Sequence, residues 1–353
     1  MKCACIKRIL VVLAAAAING SPIFAQTAAS PGTLSVAWYG GNWGEAFNSC
    51  VAQPFTKATG VQVIPEIGTS TVTLAKLQQQ KASPTIDVAY MDGGISELAQ
   101  AAGVLDNIDA KNVPAIANLV PEGIYRHDGE TFAVSSGYYS FGIVYNTQKV
   151  KKAPTSWDDL WSPEFEEAVA VPSPSNSSGV PFVMFLQKIW TPQSQDLAPT
   201  FKRLRALKAA LFFDSSGAAS NAYESGEALI GVHFSVGAWD LADKGLPFAF
   251  VVPKEGVWGT DVRLHLVKGS PHKAAAEKFI NMALSAQTSG CLADKLYLGP
   301  AVKGVQVSPG TAKKLPWGEG GSVHDLRLFD WNEVNAKRAA IVDTWNREIA
   351  VKR

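Results

Sequence analysis

The chain has 353 residues, of which 47% are hydrophobic and 18% are charged. This length suffices for two domains of ordinary size, and the composition is typical of a globular protein with a substantial core. Lys and Arg number 32 against 31 Asp and Glu, so the sequence lacks the basic excess of nucleic-acid-binding domains. We therefore expect no nucleic-acid partner.

Residues 9–18 form a short apolar run behind three basic residues. The run is too short to span a bilayer as a helix, and Ala25 follows it as a small residue at a cleavage position. We interpret the first 25 residues as a signal peptide cleaved after Ala25, which predicts a periplasmic location; an uncleaved membrane anchor is the alternative. Cleavage lowers Lys and Arg from 32 to 29 against 31 acidic residues, so the mature net charge is −2.

The next part of the chain predicts strands and helices in alternation. Apolar and polar residues alternate in the strands, helical periodicity recurs between them, and Gly60 and Gly103 mark helix ends. The predicted strands are residues 33–39, 61–67 and 86–90, and the predicted helices are residues 45–59, 71–81 and 95–102. This order implies a parallel sheet with helices on both faces.

A long extended stretch, FAVSSGYYSFGIVYN at residues 132–146, follows this region. Ordinary strands are commonly about 5–6 residues long, so we expect this one to cross between two domains. The second half is again α/β, with strands at residues 169–171, 228–234 and 246–252, helical units at 155–161, 180–190 and 204–208, and a helix that ends at 227.

Two glycine turns follow predicted strands. Tyr39-Gly40-Gly41 follows the first strand, and Asp92-Gly93-Gly94 follows the third. Ligands of open α/β sheets bind outside the carboxyl ends of the strands, and glycine allows a sharp turn and a close approach. We therefore expect both turns to face one crevice.

Cys50 and Cys291 remain after removal of the signal peptide. In an exported protein they can pair as one disulfide; two buried free thiols are the alternative. No CxxC spacing is present, which argues against zinc and thioredoxin-type sites. We expect no metal and no other cofactor.

The motifs of common enzymes are missing: the sequence has no GxxxxGK[ST], no GxGxxG after a strand and no HExxH. One near match is His233-Phe234-Ser235-Val236-Gly237, in which a histidine replaces the first glycine of the GxSxG nucleophile elbow. A secreted serine hydrolase that uses Ser235 is therefore an alternative of another class. It requires His265, His272 or His324 within hydrogen-bond reach of that serine.

Iron binding is a further alternative, suggested by the pair Tyr138-Tyr139. It requires a cluster of oxygen or nitrogen ligands. Adjacent residues of a strand point to opposite faces, so the two tyrosines do not form such a cluster by themselves.

Nine segments occur in an order that is typical of one protein family. They are FTKATGVQV (55–63), LAKLQQQ (74–80), DVAYMDGG (87–94), GVLDNID (103–109), GIVYNT (142–147), TSWDDLWSPEF (155–165), YESGEALIGV (223–232), VPKEGVWGTD (252–261) and SPHKAAAEKFINMAL (270–284). Together they resemble the periplasmic solute-binding proteins of ABC importers, family 1, and within these the spermidine/putrescine-binding branch. The resemblance covers almost the whole mature chain.

The resemblance implies an α/β fold, the two-lobed type II periplasmic binding protein fold, in which each lobe is a mostly parallel sheet flanked by helices. It also implies a monomeric protein without enzymatic activity, which captures a small polar, amine-like or polyamine-like solute and delivers it to an inner-membrane ABC permease. The expected ranges are residues 33–142 and 264–305 for lobe one, 146–256 and 310–353 for lobe two, and 139–146 and 260–264 for the hinge crossings.

Polyamine-binding proteins hold their ligands between aromatic rings and carboxylates, because alkylammonium groups are attracted to ring faces and to anions. Trp43, one helical turn beyond the first glycine turn, is expected in the core rather than in the pocket. The positions that match the pocket of the family are Tyr39, Gly41, Asp92, Tyr138, Phe234, Ser235, Trp258 and Asp261.

Residues 173–178, SPSNSS, depart from the pattern of polyamine binders, in which acidic residues tend to contribute near this position. A helix start rich in hydroxyls suits an anionic group, because its free N–H groups and its dipole favour negative charge. Ser175 and Ser177 therefore extend the candidate site toward a zwitterionic or anionic solute, such as an aminophosphonate or an organic acid. Arg263 could meet a carboxylate of such a solute. A plain capping loop is the alternative.

Overall fold

The computed structural model describes residues 32–350. The predicted signal peptide and its cleavage after Ala25 lie outside the described residues. Within residues 32–350, no helix combines the length and the apolarity that crossing a membrane requires.

Short strands and helices alternate along most of the described chain. The strands are β1 Thr33–Trp38, β2 Gln62–Ile67, β3 Val88–Asp92, β4 Leu105–Asp106, β5 Ile124–His127, β6 Glu130–Asn146, β7 Val169–Pro172, β8 Leu211–Phe213, β9 Ile230–Phe234, β10 Phe248–Val251, β11 Trp258–Val267 and β12 Arg327–Leu328. The helices are α1 Gly41–Phe47, α2 Gln53–Thr59, α3 Ser70–Gln79, α4 Ile95–Ala101, α5 Gly179–Trp190, α6 Ala198–Ala206, α7 Ser216–Ser225, α8 Ser235–Asp243, α9 Lys273–Ala283, α10 Ala286–Leu296, α11 Pro309–Ala312 and α12 Trp331–Glu348.

The strands form one sheet in the order β2-β1-β3-β11-β6-β9-β7-β8, with the short strands β4, β5, β10 and β12 paired along it. Strands β2, β1 and β3 are parallel, and we call them the first strand set. Strands β9, β7 and β8 are also parallel and form the second strand set. The long strands β11 and β6 lie between the sets and pair antiparallel with each other and with their neighbours.

Strand β6 has 17 residues and takes part in both halves of the sheet. Its middle, from Val134 to Phe141, pairs with β11, whereas its end, from Phe141 to Tyr145, pairs with β9. This pairing confirms the predicted long strand at residues 132–146. The chain therefore passes from one strand set to the other near Phe141.

The core lies between the sheet and the helices that cover it. Every residue of β3 and of β9 is buried, which is typical of strands covered by helices on both faces. Local signals set the helix ends at the sheet edge: the hydroxyls of Thr69 and Ser215 accept backbone N–H groups at the starts of α3 and α7. Gly60 and Gly226 take left-handed conformations that end α2 and α7.

Cys50 and Cys291 form a disulfide, which confirms the predicted pairing and rules out the alternative of two free thiols. Their Cα atoms are 5.7 Å apart, a usual separation for bonded cysteines. Cys50 lies in a π-helical segment, Asn48–Ala52, that joins α1 to α2, and Cys291 lies in α10.

Three predicted helices differ from the structure. The helical unit at residues 155–161 is only a 3₁₀ turn, Trp157–Trp161, because Pro163 follows and disfavours helical backbone at Ser162. The unit at residues 204–208 is the end of α6, which starts earlier. The helix predicted at residues 45–59 begins at Gly41 and contains the π-helical segment.

Candidate functional site

A cavity of about 460 Å³ lies at the carboxyl ends of strands from both sets. The segments after β1 and β2 and the last residue of β3 line one side of it. The residues before α5, residues along most of α7 and parts of α8 line the other side, and β6 contributes Tyr139 and Phe141. This is the position at which open α/β sheets bind their ligands.

The Asp92 carboxylate is the centre of the cavity's hydrogen-bond network. The hydroxyls of Tyr39 and Tyr139 donate to its Oδ1 atom at 2.8 and 2.7 Å. The hydroxyls of Ser70 and Ser177 donate to its Oδ2 atom, both at 2.8 Å. Asp92 is 8% exposed, so its negative charge is held by four hydroxyl groups and is largely removed from water.

The elements explain why these donors meet. Asp92 is the last residue of β3, Tyr39 directly follows β1, and Ser70 is the first residue of α3. Ser177 precedes α5 and comes from the second strand set, so its bond to Asp92 connects the two sides of the cavity.

The two tyrosines remain neutral donors at ordinary pH. Burial raises the pKa of Tyr39 and of Tyr139 well above the usual value, and the charge of Asp92 raises both further. A phenolate beside this carboxylate would place two negative charges in one buried site. The tyrosines therefore keep their protons and direct them at Asp92.

Five aromatic side chains line the cavity around this carboxylate: Tyr39, Trp43, Tyr139, Phe141 and Phe234. Several neighbouring rings meet edge to face. The ring centroids are 5.5 Å apart for Tyr39 and Trp43, 5.6 Å for Trp43 and Tyr139, and 6.3 Å for Tyr139 and Phe234. Such pairs stabilise one another, and their faces attract cations.

The far side of the cavity is polar. Ser215, Ser216 and Gly217 line it at the start of α7, where the first backbone N–H groups have no partner within the helix. Lys244 lies nearby and is paired with Glu224 at 2.8 Å and with Asp240 at 3.0 Å. Asp92, Glu224 and Asp240 thus give the lining three carboxylates against one ammonium group.

The structure brings five of the predicted site residues to this cavity. They are Tyr39, Gly41, Asp92, Ser177 and Phe234. Gly41 has a φ of 62°, a backbone conformation that favours glycine. Trp43 also lines the cavity, whereas we expected it in the core; it is buried and does both.

Tyr138 and Asp261 lie on the opposite face of the sheet, outside the cavity lining. Tyr138 is the cross-strand partner of Asp261, and Tyr139 is the partner of Thr260, so Tyr139 faces the cavity and Tyr138 does not. Because successive strand residues point to opposite faces of the sheet, only one of the two adjacent tyrosines faces the cavity.

Asp261 is buried in a network of its own. It accepts hydrogen bonds from Arg263 Nε at 2.9 Å and from the Tyr125 hydroxyl at 2.8 Å. Arg263 also binds Glu97 and stacks over the Tyr125 ring, 3.4 Å from its centroid. Arg263, which we expected to meet a ligand carboxylate, is therefore engaged by two carboxylates of the protein.

The three other predicted site residues also lie outside the cavity lining. Trp258 is buried against Phe141, with ring centroids 4.9 Å apart. The Ser235 hydroxyl accepts the backbone N–H of Ser140, and Ser175 is exposed in the loop before α5.

The hydrolase and iron alternatives find no support at these residues. Within residues 32–350, no histidine is hydrogen-bonded to Ser235; His265 instead contacts Ser96 and the Ala89 carbonyl. No group of three or more His, Cys, Asp or Glu side chains in that range could hold a metal ion.

Sequence reasoning missed Ser70, Tyr139 and the start of α7. Ser70 could have been predicted from the sequence, because this residue begins a helix directly after the second predicted strand, at the same sheet edge as Asp92. The start of α7 carries a run of serines, Ser215 and Ser216, that predicts a helix cap. Their closeness to Asp92 is set by the tertiary fold.

The two strand sets, the crossing strands and the cavity at the strand ends define a ligand-binding protein of two α/β parts. The profile of the family described as bacterial extracellular solute-binding protein matches residues 83–334. The match covers more than half of the chain, and the protein belongs to this family.

Relatives agree with this assignment. The chain is 28% identical to spermidine/putrescine-binding periplasmic protein 1 of Haemophilus influenzae over 77% of each chain. It is 24% identical to the gamma-aminobutyric acid-binding protein of Pseudomonas aeruginosa over 81% of each chain. A protein of Salmonella typhimurium, assigned as a 2-aminoethylphosphonate-binding periplasmic protein, is 24% identical over 83% of this chain and 85% of its own.

Solved structures share the fold. An ABC transporter protein from Clostridium perfringens superposes with a TM-score of 0.68 at 24% identity, covering 90% of this chain and 99% of its own. A periplasmic binding protein of Agrobacterium tumefaciens superposes with a TM-score of 0.75 at 18% identity and the same coverage. These similarities confirm the predicted two-lobed periplasmic binding protein fold.

The resemblance to spermidine/putrescine-binding proteins is confirmed by the relatives. By its family the protein is a solute-binding protein and not an enzyme.

Proposed function

We propose that this protein captures a small organic solute that carries an ammonium group and delivers it from the periplasm to an inner-membrane ABC permease. The observation that carries the proposal is the buried Asp92 carboxylate among five aromatic rings. Within the described chain, Lys244 is the one cationic side chain of the lining, and two carboxylates already pair with it. The cavity is therefore suited to a positive group.

The relatives support this choice of chemistry. They are named for binding spermidine and putrescine, gamma-aminobutyric acid and 2-aminoethylphosphonate. These compounds differ in their second functional group but share an ammonium group at neutral pH. A cavity whose lining carries three carboxylates and one ammonium group is compatible with all of them.

The strand order of the sheet supports a division into two lobes. We propose residues 33–142 and 264–305 for lobe one, and residues 146–256 and those from 310 onward for lobe two, with hinges where β6 and β11 cross. Ion pairs of α12 with α5 and α6, Lys188–Glu333 and Arg205–Glu348, support the placement of the last helix in lobe two. A monomer is sufficient for this role, because both sides of the cavity come from one chain.

A zwitterionic solute is the second candidate, favoured by the polar far side of the cavity. The start of α7 offers backbone N–H groups and the hydroxyls of Ser215 and Ser216 to an anionic end. Helix starts bind anions through these groups and through the helix dipole. An ammonium end near Asp92 and an anionic end near α7 would then use both sides.

Titration calorimetry of the mature protein tests the proposal. The panel contains putrescine, 4-aminobutanoate, 2-aminoethylphosphonate and choline. Butanoate, which lacks an ammonium group, is the control. We expect at least one ammonium compound to bind and butanoate to bind at least tenfold more weakly. Binding of butanoate alone would overturn the proposal.

The matched variants are Asp92→Asn and Asp128→Asn. Asp128 is 90% exposed in a turn, so its variant controls for the loss of one carboxylate charge at the surface. Interactions with a charged group contribute roughly 1.5–3 kcal/mol, so Asp92→Asn should weaken cation binding about tenfold or more. Equal affinities of Asp92→Asn and the parent would contradict a role of this carboxylate.

A further inference from the structure

The hydrogen-bond acceptor positions of Asp92 are already occupied. An ionised carboxylate offers about four acceptor positions, and a primary ammonium group brings three N–H donors that need acceptors. The Oδ1 atom accepts from Tyr39 and Tyr139, and the Oδ2 atom accepts from Ser70 and Ser177. The carboxylate therefore supplies negative charge to the cavity but no vacant acceptor position.

Three of these four donors, Tyr39, Tyr139 and Ser70, are held in place by further contacts. Tyr39 and Tyr139 pack edge to face against Trp43, and the Ser70 hydroxyl also accepts the backbone N–H of Asp92 at 3.0 Å. A primary ammonium group that bound Asp92 directly would have to displace one of them. The donor would then lose its partner in a buried place, which is costly.

The side-chain amide of Asn176, which also lines the cavity, is engaged as well. The Asn176 side-chain oxygen accepts the backbone N–H of Ser178 at 2.9 Å and its hydroxyl at 2.7 Å. The rings of Trp43, Phe141 and Phe234 in the lining offer no strong hydrogen-bond acceptor. A primary ammonium group beside Asp92 would have to bond to hydroxyl oxygens that already donate to the carboxylate, such as those of Tyr39, Tyr139 and Ser177, which are weaker acceptors than a vacant carboxylate position.

We propose that the head group of the solute is a fully methylated, quaternary ammonium group, enclosed by the aromatic side chains over Asp92. This inference rests on the proposed function and narrows its substrate class. A quaternary ammonium group has no N–H donors, so it loses no hydrogen bonds in the cavity. It is attracted to ring faces and to the buried negative charge, as in the aromatic cages that bind choline and methylated lysine. The cavity volume of about 460 Å³ is in the range of small-ligand pockets and has room for the methyl groups.

Matched ligand pairs test this inference by calorimetry. The pairs are choline against ethanolamine and 4-(trimethylammonio)butanoate against 4-aminobutanoate, which differ only in methylation. We expect the methylated member of at least one pair to bind about tenfold more tightly, which corresponds to about 1.4 kcal/mol. Equal or tighter binding of the primary amines would overturn the inference but leave the proposed function standing. Failure of all four compounds, with binding of butanoate, would overturn both.

The variant Ser177→Ala is the second test, because it frees one acceptor position on Asp92 Oδ2. Primary amines should gain affinity relative to their methylated partners, so the affinity ratio within each pair should fall several-fold. Any effect of Ser177 on lobe closure acts on both members of a pair and cancels in the ratio. The control is Ser175→Ala, an exposed serine of the same loop, for which the ratio should stay that of the parent. An unchanged ratio in Ser177→Ala would contradict the role of the filled acceptor positions.

The variant Trp43→Leu tests the ring wall. It should weaken the methylated member of each pair more than the primary amine, because it removes a ring face without changing charge. Its thermal unfolding midpoint is measured first, since Trp43 is also buried. Equal weakening of both members by a folded Trp43→Leu protein would count against the aromatic enclosure.

Discussion

Asp92 and Asp261 are two buried aspartates on neighbouring strands that are used in opposite ways. Asp92 ends β3 opposite Val262 of β11, so Asp261 is only one position away from its cross-strand partner. Asp92 faces the cavity and is held by hydroxyl groups. Asp261 faces the other side of the sheet and is paired with Arg263.

The difference lies in what the partners do to the charge. Hydroxyl donors satisfy a carboxylate without cancelling its charge, so Asp92 remains an anionic feature of the cavity. The guanidinium of Arg263 neutralises Asp261 and, with Glu97, forms an internal ion network. One aspartate is therefore available to a cationic ligand, and the other contributes to the structure behind the site.

The largest expected effect comes from breaking the internal network. Burial raises the pKa of Asp261, and Arg263 opposes this shift. Arg263→Met leaves Asp261 and Glu97 without their cation, so we expect the free energy of unfolding to fall by about 3–5 kcal/mol in urea unfolding. The double variant Arg263→Met/Asp261→Asn should recover part of that loss. A single variant as stable as the parent would show that the network is not structural.

Buried histidines give the next largest effect; His265 lies in β11 beside the first strand set, and His233 lies in β9 of the second set. Burial lowers the pKa of His233 and of His265 to about 3, whereas an unfolded histidine titrates near 6.5. Because the folded pKa is lowered, the contribution of each neutral histidine to the free energy of unfolding is complete above pH 6.5. It is lost as the pH falls toward 3.

Between pH 7 and pH 4.5 we expect a loss of about 2–3 kcal/mol for each histidine. Urea unfolding at both pH values, with His265→Gln and His233→Gln for comparison, measures it. Each variant should lose less stability on acidification than the parent. The same pH slope in parent and variants would refute this origin.

A smaller effect separates the two adjacent tyrosines. Tyr139→Phe removes one hydrogen bond to the Asp92 carboxylate. It should lower the free energy of unfolding by roughly 1.5 kcal/mol, the low end of the range for hydrogen bonds to charged groups, because three donors remain. The Tyr138 hydroxyl is buried without a hydrogen-bond partner in residues 32–350, so Tyr138→Phe should be neutral or slightly stabilising. Chemical denaturation of the two variants side by side is the measurement. A larger loss for Tyr138→Phe would reverse the assignment of faces.

The smallest effect concerns Lys244, whose ammonium group offsets the negative charges of two carboxylates of the lining. Lys244 is 52% exposed, so its ion pairs should contribute less than about 1 kcal/mol to stability. Lys244→Met leaves Glu224 and Asp240 unpaired and should speed association of cationic ligands a few-fold at low salt. Stopped-flow rates that do not change, or that change equally at high salt, would contradict this expectation.

Much of the fold could be predicted from the sequence. Hydrophobic periodicity and glycine positions indicated the strand and helix order, and the length of residues 132–146 indicated the crossing strand. Asp92 and Tyr39 were predicted as site residues from the resemblance to polyamine-binding proteins, in agreement with the two glycine turns expected at one crevice. These inferences depend on local pattern, which the sequence contains.

The rest depended on contacts between distant segments. Asp261 has the residue type expected of a ligand carboxylate, but its burial against Arg263 and Glu97 depends on strand pairing and on α4. The choice between Tyr138 and Tyr139 depends on the face each presents, and a register shift at Val262/Arg263 alters the pairing of β6 with β11. The sequence around Tyr138 and Tyr139 contains no local pattern that distinguishes the two residues.

The disulfide between Cys50 and Cys291 closes a covalent loop that contains every strand from β2 to β11. A protease that cuts the backbone once anywhere inside this loop leaves both pieces attached through the two sulfur atoms. A nicked molecule therefore keeps the strands of both sets in one covalent body and can retain the cavity between them. Under reducing conditions the same cut would release two separate polypeptides.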